Sequence, residues 1–213
     1  MSVDENHGGC RRCGVCCKKG GPALHMSDRH LVDDGRIPAR FLFTLRRGER
    51  AHDNVRGVLA PLADELIKIK GTGKKWTCRF YDPDAQGCTI YEFRPLECRV
   101  LDCRNPREIM AVYETDRITR KDFLAGVPAL LDLIKDHDRR CDYRRLNELM
   151  ANGQTNGRFC DEAAILESVH YDIHLRALMV EKTGIDPEML DFLLGRPLTV
   201  TLGPMGIKLS EKK

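Results

Sequence analysis

The chain has 213 residues, 42% of them hydrophobic, and a net charge of +3, which is enough apolar content for a domain that folds alone. The opening MSVDENHGG lacks a basic start followed by an apolar stretch, and no run of about 18 uncharged apolar residues occurs, so export and a membrane are not expected and the expected location is the cytoplasm. In a reducing compartment clustered thiols serve metals or redox chemistry rather than disulfides, so the ten cysteines read as a metal signal.

Eight of these cysteines lie between Cys10 and Cys103, and only Cys141 and Cys160 follow. Residues 1–107 carry 20 Lys and Arg against 14 Asp and Glu, whereas residues 108–213 carry 15 against 18. The expected fold is α+β: an irregular, metal-organised, Cys-rich half with short strands over 1–107, and a helical half over 108–213 packed on it in one compact domain. Part of the basic bias balances thiolate charge. With no continuous basic helix, RNA-binding motif or aromatic stacking series, nucleic acid is not an expected partner.

In chain order, CRRCGVCC comes first and sets Cys10, Cys13 and Cys16 at CxxCxxC spacing. A bacterial ferredoxin run of this form donates three ligands to one cluster and takes its fourth from far along the chain. Cys17 departs from that run, because adjacent side chains diverge, and is read as facing a second site or as a spare thiol. A zinc knuckle, with four sulfurs at about 2.3 Å from the ion, is the competing local reading. Gly20, Gly21 and Pro22 predict a loop, and Ser27 to Gly35 a short helix. Phe41, Phe43 and Leu45 alternate around Leu42 and Thr44 as a strand or a buried helical turn, and Glu65 to Gly71 alternates as a half-buried strand. WTCRFY and CTIYEF, joined by turn residues Pro83, Asp84 and Gly87, predict one hairpin with Cys78 and Cys88 on its two arms. Beyond Pro95 a short helical turn offers Cys98 and Cys103.

From Pro106 the period becomes helical. Phe123, Val127, Leu130, Leu131 and Ile134, continued by His137 and Cys141, form one apolar stripe, and Leu166, Val169, Ile173 and Val180 form a second, stopped by Gly184. DPEMLDFLLG at 186–195 is a third helix, and PLTVTLGPMGIKL after it reads as a short strand or hairpin.

Cys78, Cys88, Cys98 and Cys103 complete eight cysteines, enough for two four-cysteine sites or for one site with redox thiols. CRRCGVCC, WTCRFYD, GCTIYEFRPLECR and LDC, in that order over roughly residues 10–104, resemble the YkgJ-like CxxCxxCC family, a zinc- or iron-chelating domain often labelled iron-sulfur-cluster-containing. Trp76, Tyr91, Arg94, Pro95 and Arg99 add to the match. The resemblance implies metal chelation rather than a reaction. The family also includes the cysteine-rich part of a flagellin lysine N-methylase, which implies an enzyme as one alternative, although no glycine-rich nucleotide loop follows a predicted strand here. The expected cofactor is an iron-sulfur cluster, [4Fe-4S], or zinc, held by Cys10, Cys13, Cys16, Cys17, Cys78, Cys88, Cys98 and Cys103. The expected role is a redox module with a protein or electron-transfer partner, or else a zinc-stabilised interaction protein. Both metals accept four thiolates, so residue identity alone leaves the choice open.

His170 and His174 stand four apart on a predicted helix, but the intervening Tyr171, Asp172 and Ile173 supply no metalloprotease Glu, so they read as helix surface. His137 and Cys141 read as packing residues with a bridging ligand as the alternative, and Cys160 as incidental. Arg94 and Arg99 flank Cys98 and are expected to support the metal. Trp76 and Tyr81 are expected to exclude water from it. Lys68, Lys70, Lys74 and Lys75 are expected to form a solvated edge.

Overall fold

The computed structural model describes residues 10, 12–53, 56–151, 154–155, 158–159 and 161–203. Its class is α+β, as the sequence predicts, with short two-stranded sheets concentrated in the first half and the long helices in the second. The chain divides into two interleaved compact units, Met1–Leu42 with Ile67–Ile118 and Phe43–Leu66 with Thr119–Lys213.

In the first unit, residues 22–25 run extended between two neighbours. The amide of Leu24 donates to the carbonyl of Ile67 at 2.9 Å and that of Ile69 to Pro22 at 3.1 Å, while on the other edge Ile118 donates to Leu24 at 3.3 Å and Met26 to Asp116 at 2.8 Å. Both edges of this segment are therefore covered. Ala23, Leu24, Ile67, Ile69 and Ile118 are at most 1% exposed and build the core with Leu31, which the predicted short helix, found at Arg29–Asp33, supplies. The strand expected near Glu65 is Leu66–Ile69, and it is enclosed on both faces rather than half-buried. Lys70 is accordingly buried and the Lys68 ammonium desolvated, which pulls its pKa down despite the nearby Glu97 carboxylate; neither belongs to a solvated edge.

The single predicted hairpin is in fact two. Gly71–Thr72 pairs with Thr77–Cys78, and Tyr81–Asp82 pairs with Gly87–Cys88, so Cys78 lies opposite Gly71 and Cys88 opposite Tyr81. The cause is a tight turn before Cys78, closed by the amide of Trp76 on the carbonyl of Gly73 at 3.1 Å, with Trp76 at φ +54°. A Cβ at Gly71 would collide with the carbonyl of Trp76. Gly71→Ala is expected to destabilise the protein by about 1–3 kcal/mol, the cost of overpacking, read as a lower denaturant midpoint. An unchanged midpoint would show that the turn yields freely.

The second unit contains the helices Arg120–Leu124, Pro128–Arg140, Tyr143–Ala151, Glu162–Thr183, Leu190–Leu194 and Leu198–Leu202. The amide and hydroxyl of Thr119 donate to Asp122 at 2.8 and 2.6 Å, capping the first helix, and Pro128 opens the next, so the stripe predicted from Phe123 spans two helices. In Glu162–Thr183 the buried face is Ile165, Val169, Asp172, Leu175 and Met179, and the predicted Ile173 is 46% exposed. Leu198–Leu202 is helical where the sequence reads as a strand. Leu198 and Leu202, four apart, join Cys141, Tyr143, Leu146, Ile165 and Val169 in one core, and that burial outweighs the strand preference of Thr and Val. Cys160 and the chain beyond residue 203 lie outside the described residues.

Candidate metal centre

The first cysteine segment is organised by a short 3-10 turn at Cys17–Lys19, in which Lys18 donates to Gly14 at 2.9 Å and Lys19 to Cys16 at 3.0 Å. Gly14 stands at φ +71°, and a Cβ there would meet the Tyr81 ring at 2.5 Å, so the chain can fold against that ring only with glycine after Cys13. Opposite this segment come Cys88, at the end of the second hairpin, and the helix Leu96–Val100, which carries Cys98.

Residues far away in sequence hold that helix. The buried Asp28 carboxylate accepts from the amide of Leu96 at 2.8 Å and from that of His25 at 3.0 Å, with the Arg99 guanidinium 3.7 Å away. Glu97 accepts from the amide of Ala23 at 2.7 Å. Its other oxygen faces Nε2 of the buried His25 at 3.6 Å, and Nδ1 of that ring donates to the carbonyl of Thr115 at 2.7 Å. Burial pushes the Glu97 carboxyl up, but the histidine, Lys68 and the amide of Ala23 outweigh it and hold the carboxyl below its ordinary range. Arg94 is fixed by Tyr91: its Nε donates to the Tyr91 carbonyl at 2.8 Å, and its guanidinium lies 3.7 Å from the ring centroid, with that of Arg12 at 3.8 Å.

These elements surround a cavity of about 40 Å³ lined by Cys10, Cys16, Cys17, Cys88, Cys98 and Cys103, together with Tyr81, Tyr91, Arg94 and Leu101. Cys78 is buried and close enough to perturb the thiols of Cys17 and Cys98, whereas Cys13 is exposed and does not line the cavity. All eight are free thiols. Cys16 and Cys17 have their sulfurs 4.0 Å apart. The hydrogen bond from Cys17, with a smaller contribution from Arg94, lowers the Cys16 pKa against the opposing effect of burial and so favours its thiolate. The same contact pushes Cys17 up, and burial first, then neighbouring sulfurs, pushes up Cys78, Cys88 and Cys98.

A cluster of thiols that disfavour one another's ionisation, with one biased toward its thiolate, fits a soft metal cation. Such a cation supplies the positive charge that makes the remaining thiolates stable. Among the described residues no three Cys, His, Asp or Glu side chains converge tightly enough to hold an ion as they stand. A family model described as CxxCxxCC, "putative zinc- or iron-chelating domain", matches residues 9–116, just over half of the chain. The chain belongs to the CxxCxxCC family. It is thus a metal-binding protein of the zinc- or iron-chelating kind. No curated protein and no solved structure matches it.

The other candidate residues have different surroundings. Cys141 is fully buried in the core of the second unit, its thiol pushed up to about 12 chiefly by burial, and donates to the carbonyl of Ser168 at 3.6 Å. His137, also fully buried, donates from Nε2 to Asp172 at 2.8 Å, and His170 and His174 lie exposed on the helix Glu162–Thr183. Tyr81 lines the cavity as expected, but Trp76 is 43% exposed and is not a buried shield. Asp28, Glu97 and His25 were not legible from sequence as part of the site. The partners that tie them to the site lie 68 to 90 residues away. Among the described residues no helix is long and apolar enough to cross a membrane.

Proposed function

We propose that the cysteine-lined cavity holds an iron-sulfur cluster and that the protein serves as a cytoplasmic redox or electron-transfer module. The observation that carries this reading is the number of thiols around one small space. Six line it and Cys78 stands beside them, which supplies the four thiolates that a cluster takes and leaves others beside it. The CxxCxxC spacing of Cys10, Cys13 and Cys16 supports it in the same direction. When bound, such a cluster supplies one-electron chemistry at a potential tuned by its surroundings. The chain's own contribution is positional and electrostatic. Asp28 and Glu97 fix the helix that presents Cys98, Tyr91 holds Arg94 where its charge favours the thiolates of Cys16 and Cys88, and Tyr81 and Leu101 limit water.

One observation favours zinc instead. The 4.0 Å between the sulfurs of Cys16 and Cys17 is close to the separation of about 3.8 Å that two thiolates span on a tetrahedral ion with bonds of about 2.3 Å. Anaerobic purification, a visible spectrum, and iron, zinc and acid-labile sulfide counted per chain separate the two. The expected result is a brown protein that bleaches reversibly on reduction. Colourless protein with zinc and no sulfide would overturn the cluster and make the cysteines a scaffold.

A further inference from the structure

Two stretches of the chain near the cysteines carry charge of one sign only. Residues 10–27 and 66–81 together contain nine Lys and Arg and no Asp or Glu. The fold brings these stretches side by side: residues 22–24 bond to 67–69, the turn Cys17–Lys19 packs against Thr77–Cys78, and the Lys18 ammonium lies 5.6 Å from the centroid of the Tyr81 ring. Lys18, Lys19, Lys74 and Lys75 are all exposed. They are placed to act on solvent rather than on the buried sulfurs, from which water and salt screen them.

In their midst stands Trp76, 43% exposed and held at φ +54°, a left-handed backbone conformation that costs a bulky residue energy. It is the chain's single tryptophan and, among the described residues, the one exposed aromatic side chain. Tryptophan is among the commonest anchors of protein-protein hot spots and complementary charge around it steers the partner, whereas single-stranded nucleic acid is held by a series of stacked aromatics. We infer that Trp76 with Lys18, Lys19, Lys74 and Lys75 forms a docking surface for a protein partner that presents a carboxylate-rich face. The partner would dock two residues from Cys78 and immediately after Cys17, beside the metal centre. This goes beyond the cofactor reading and stands for either metal.

Trp76 emission reports the contact directly. The metal-loaded protein is titrated at low salt with poly-L-glutamate, and in parallel with oligothymidylate and with phosphatidylserine vesicles. Poly-L-glutamate is expected to shift the emission, and the shift is expected to vanish near 1 M salt, where the screening length falls to about 3 Å. The double variant Lys74→Glu with Lys75→Glu is expected to bind at least about tenfold more weakly through like-charge repulsion. Lys121→Glu with Lys135→Glu, a matched change at exposed positions of the second unit, is expected to bind as the parent does. Unchanged emission with poly-L-glutamate, or equal weakening in the two double variants, would overturn the inference. Tighter binding of the oligonucleotide or of the vesicles would overturn it too, by reassigning the surface to nucleic acid or to membrane.

Discussion

Cys98→Ser is expected to leave the protein with little bound metal and a much lowered stability, while Cys141→Ala retains its metal in full. Cys98 lines the cavity from a helix that Asp28 and Glu97 hold in place, so its sulfur is presented to the site by fixed backbone. Burial and the sulfurs of Cys78, Cys16 and Cys88 disfavour its thiolate, and only a bound cation reverses that balance. Metal binding at cysteine sites contributes about 10–16 kcal/mol at neutral pH. Shared among four ligands, the loss of one costs on the order of 2.5–4 kcal/mol, roughly a hundredfold to several hundredfold in affinity. Cys141 is fully buried, in a core of Tyr143, Leu146, Ile165 and Val169, so its truncation costs about 1 kcal/mol of packing and no metal. Metal content per chain together with a denaturant midpoint reads both effects. Equal metal in the two variants would remove Cys98 from the ligand set.

The parts of this protein that were legible in sequence are those set by local spacing. The cysteine positions, the short helix after Ser27 and the helix stop at Gly184 all follow from residues within a few positions of one another. What was hidden depended on contacts between distant residues or on a polar residue where an apolar one is expected. Trp76 reads as a strand residue, yet its left-handed backbone closes the turn of a first short hairpin, and a second begins at Tyr81. The buried stripe of Glu162–Thr183 runs through Asp172, a carboxylate that breaks an apolar pattern and moves the apparent face to Leu166 and Ile173. Residues 43–66 group with the C-terminal half, and no periodicity within them indicates it. At the cysteines the spacing suggested which residues could act together. That Asp28 caps the helix of Cys98 from 68 residues away could not be read from either segment.

Asp172→Ala is expected to be the most damaging single change in the second unit and to leave metal content untouched. The carboxylate is fully buried and accepts from Nε2 of His137 at 2.8 Å, from Nε of Arg176 at 2.9 Å and from the amide of Leu198 at 2.9 Å. It thereby joins three helices to one acceptor. Its removal leaves a buried guanidinium, an imidazole and the first amide of Leu198–Leu202 without that partner, and breaking such a pair costs about 3–5 kcal/mol. Asp172→Asn keeps the shape and two of the contacts, so it should cost less. Burial alone would raise the Asp172 pKa, but His137, Arg176 and Leu198 together hold it below the ordinary carboxylate value of about 3.9. A group whose pKa is depressed by folding contributes stability above its unfolded pKa and loses it as pH falls through the folded value. The parent should therefore lose stability on acidification below about pH 4, and Asp172→Ala, already without that contribution, should lose less over the same interval. Denaturant midpoints at neutral and acidic pH test this; parallel acid losses in parent and variant would show that the carboxylate is not what ties these helices together.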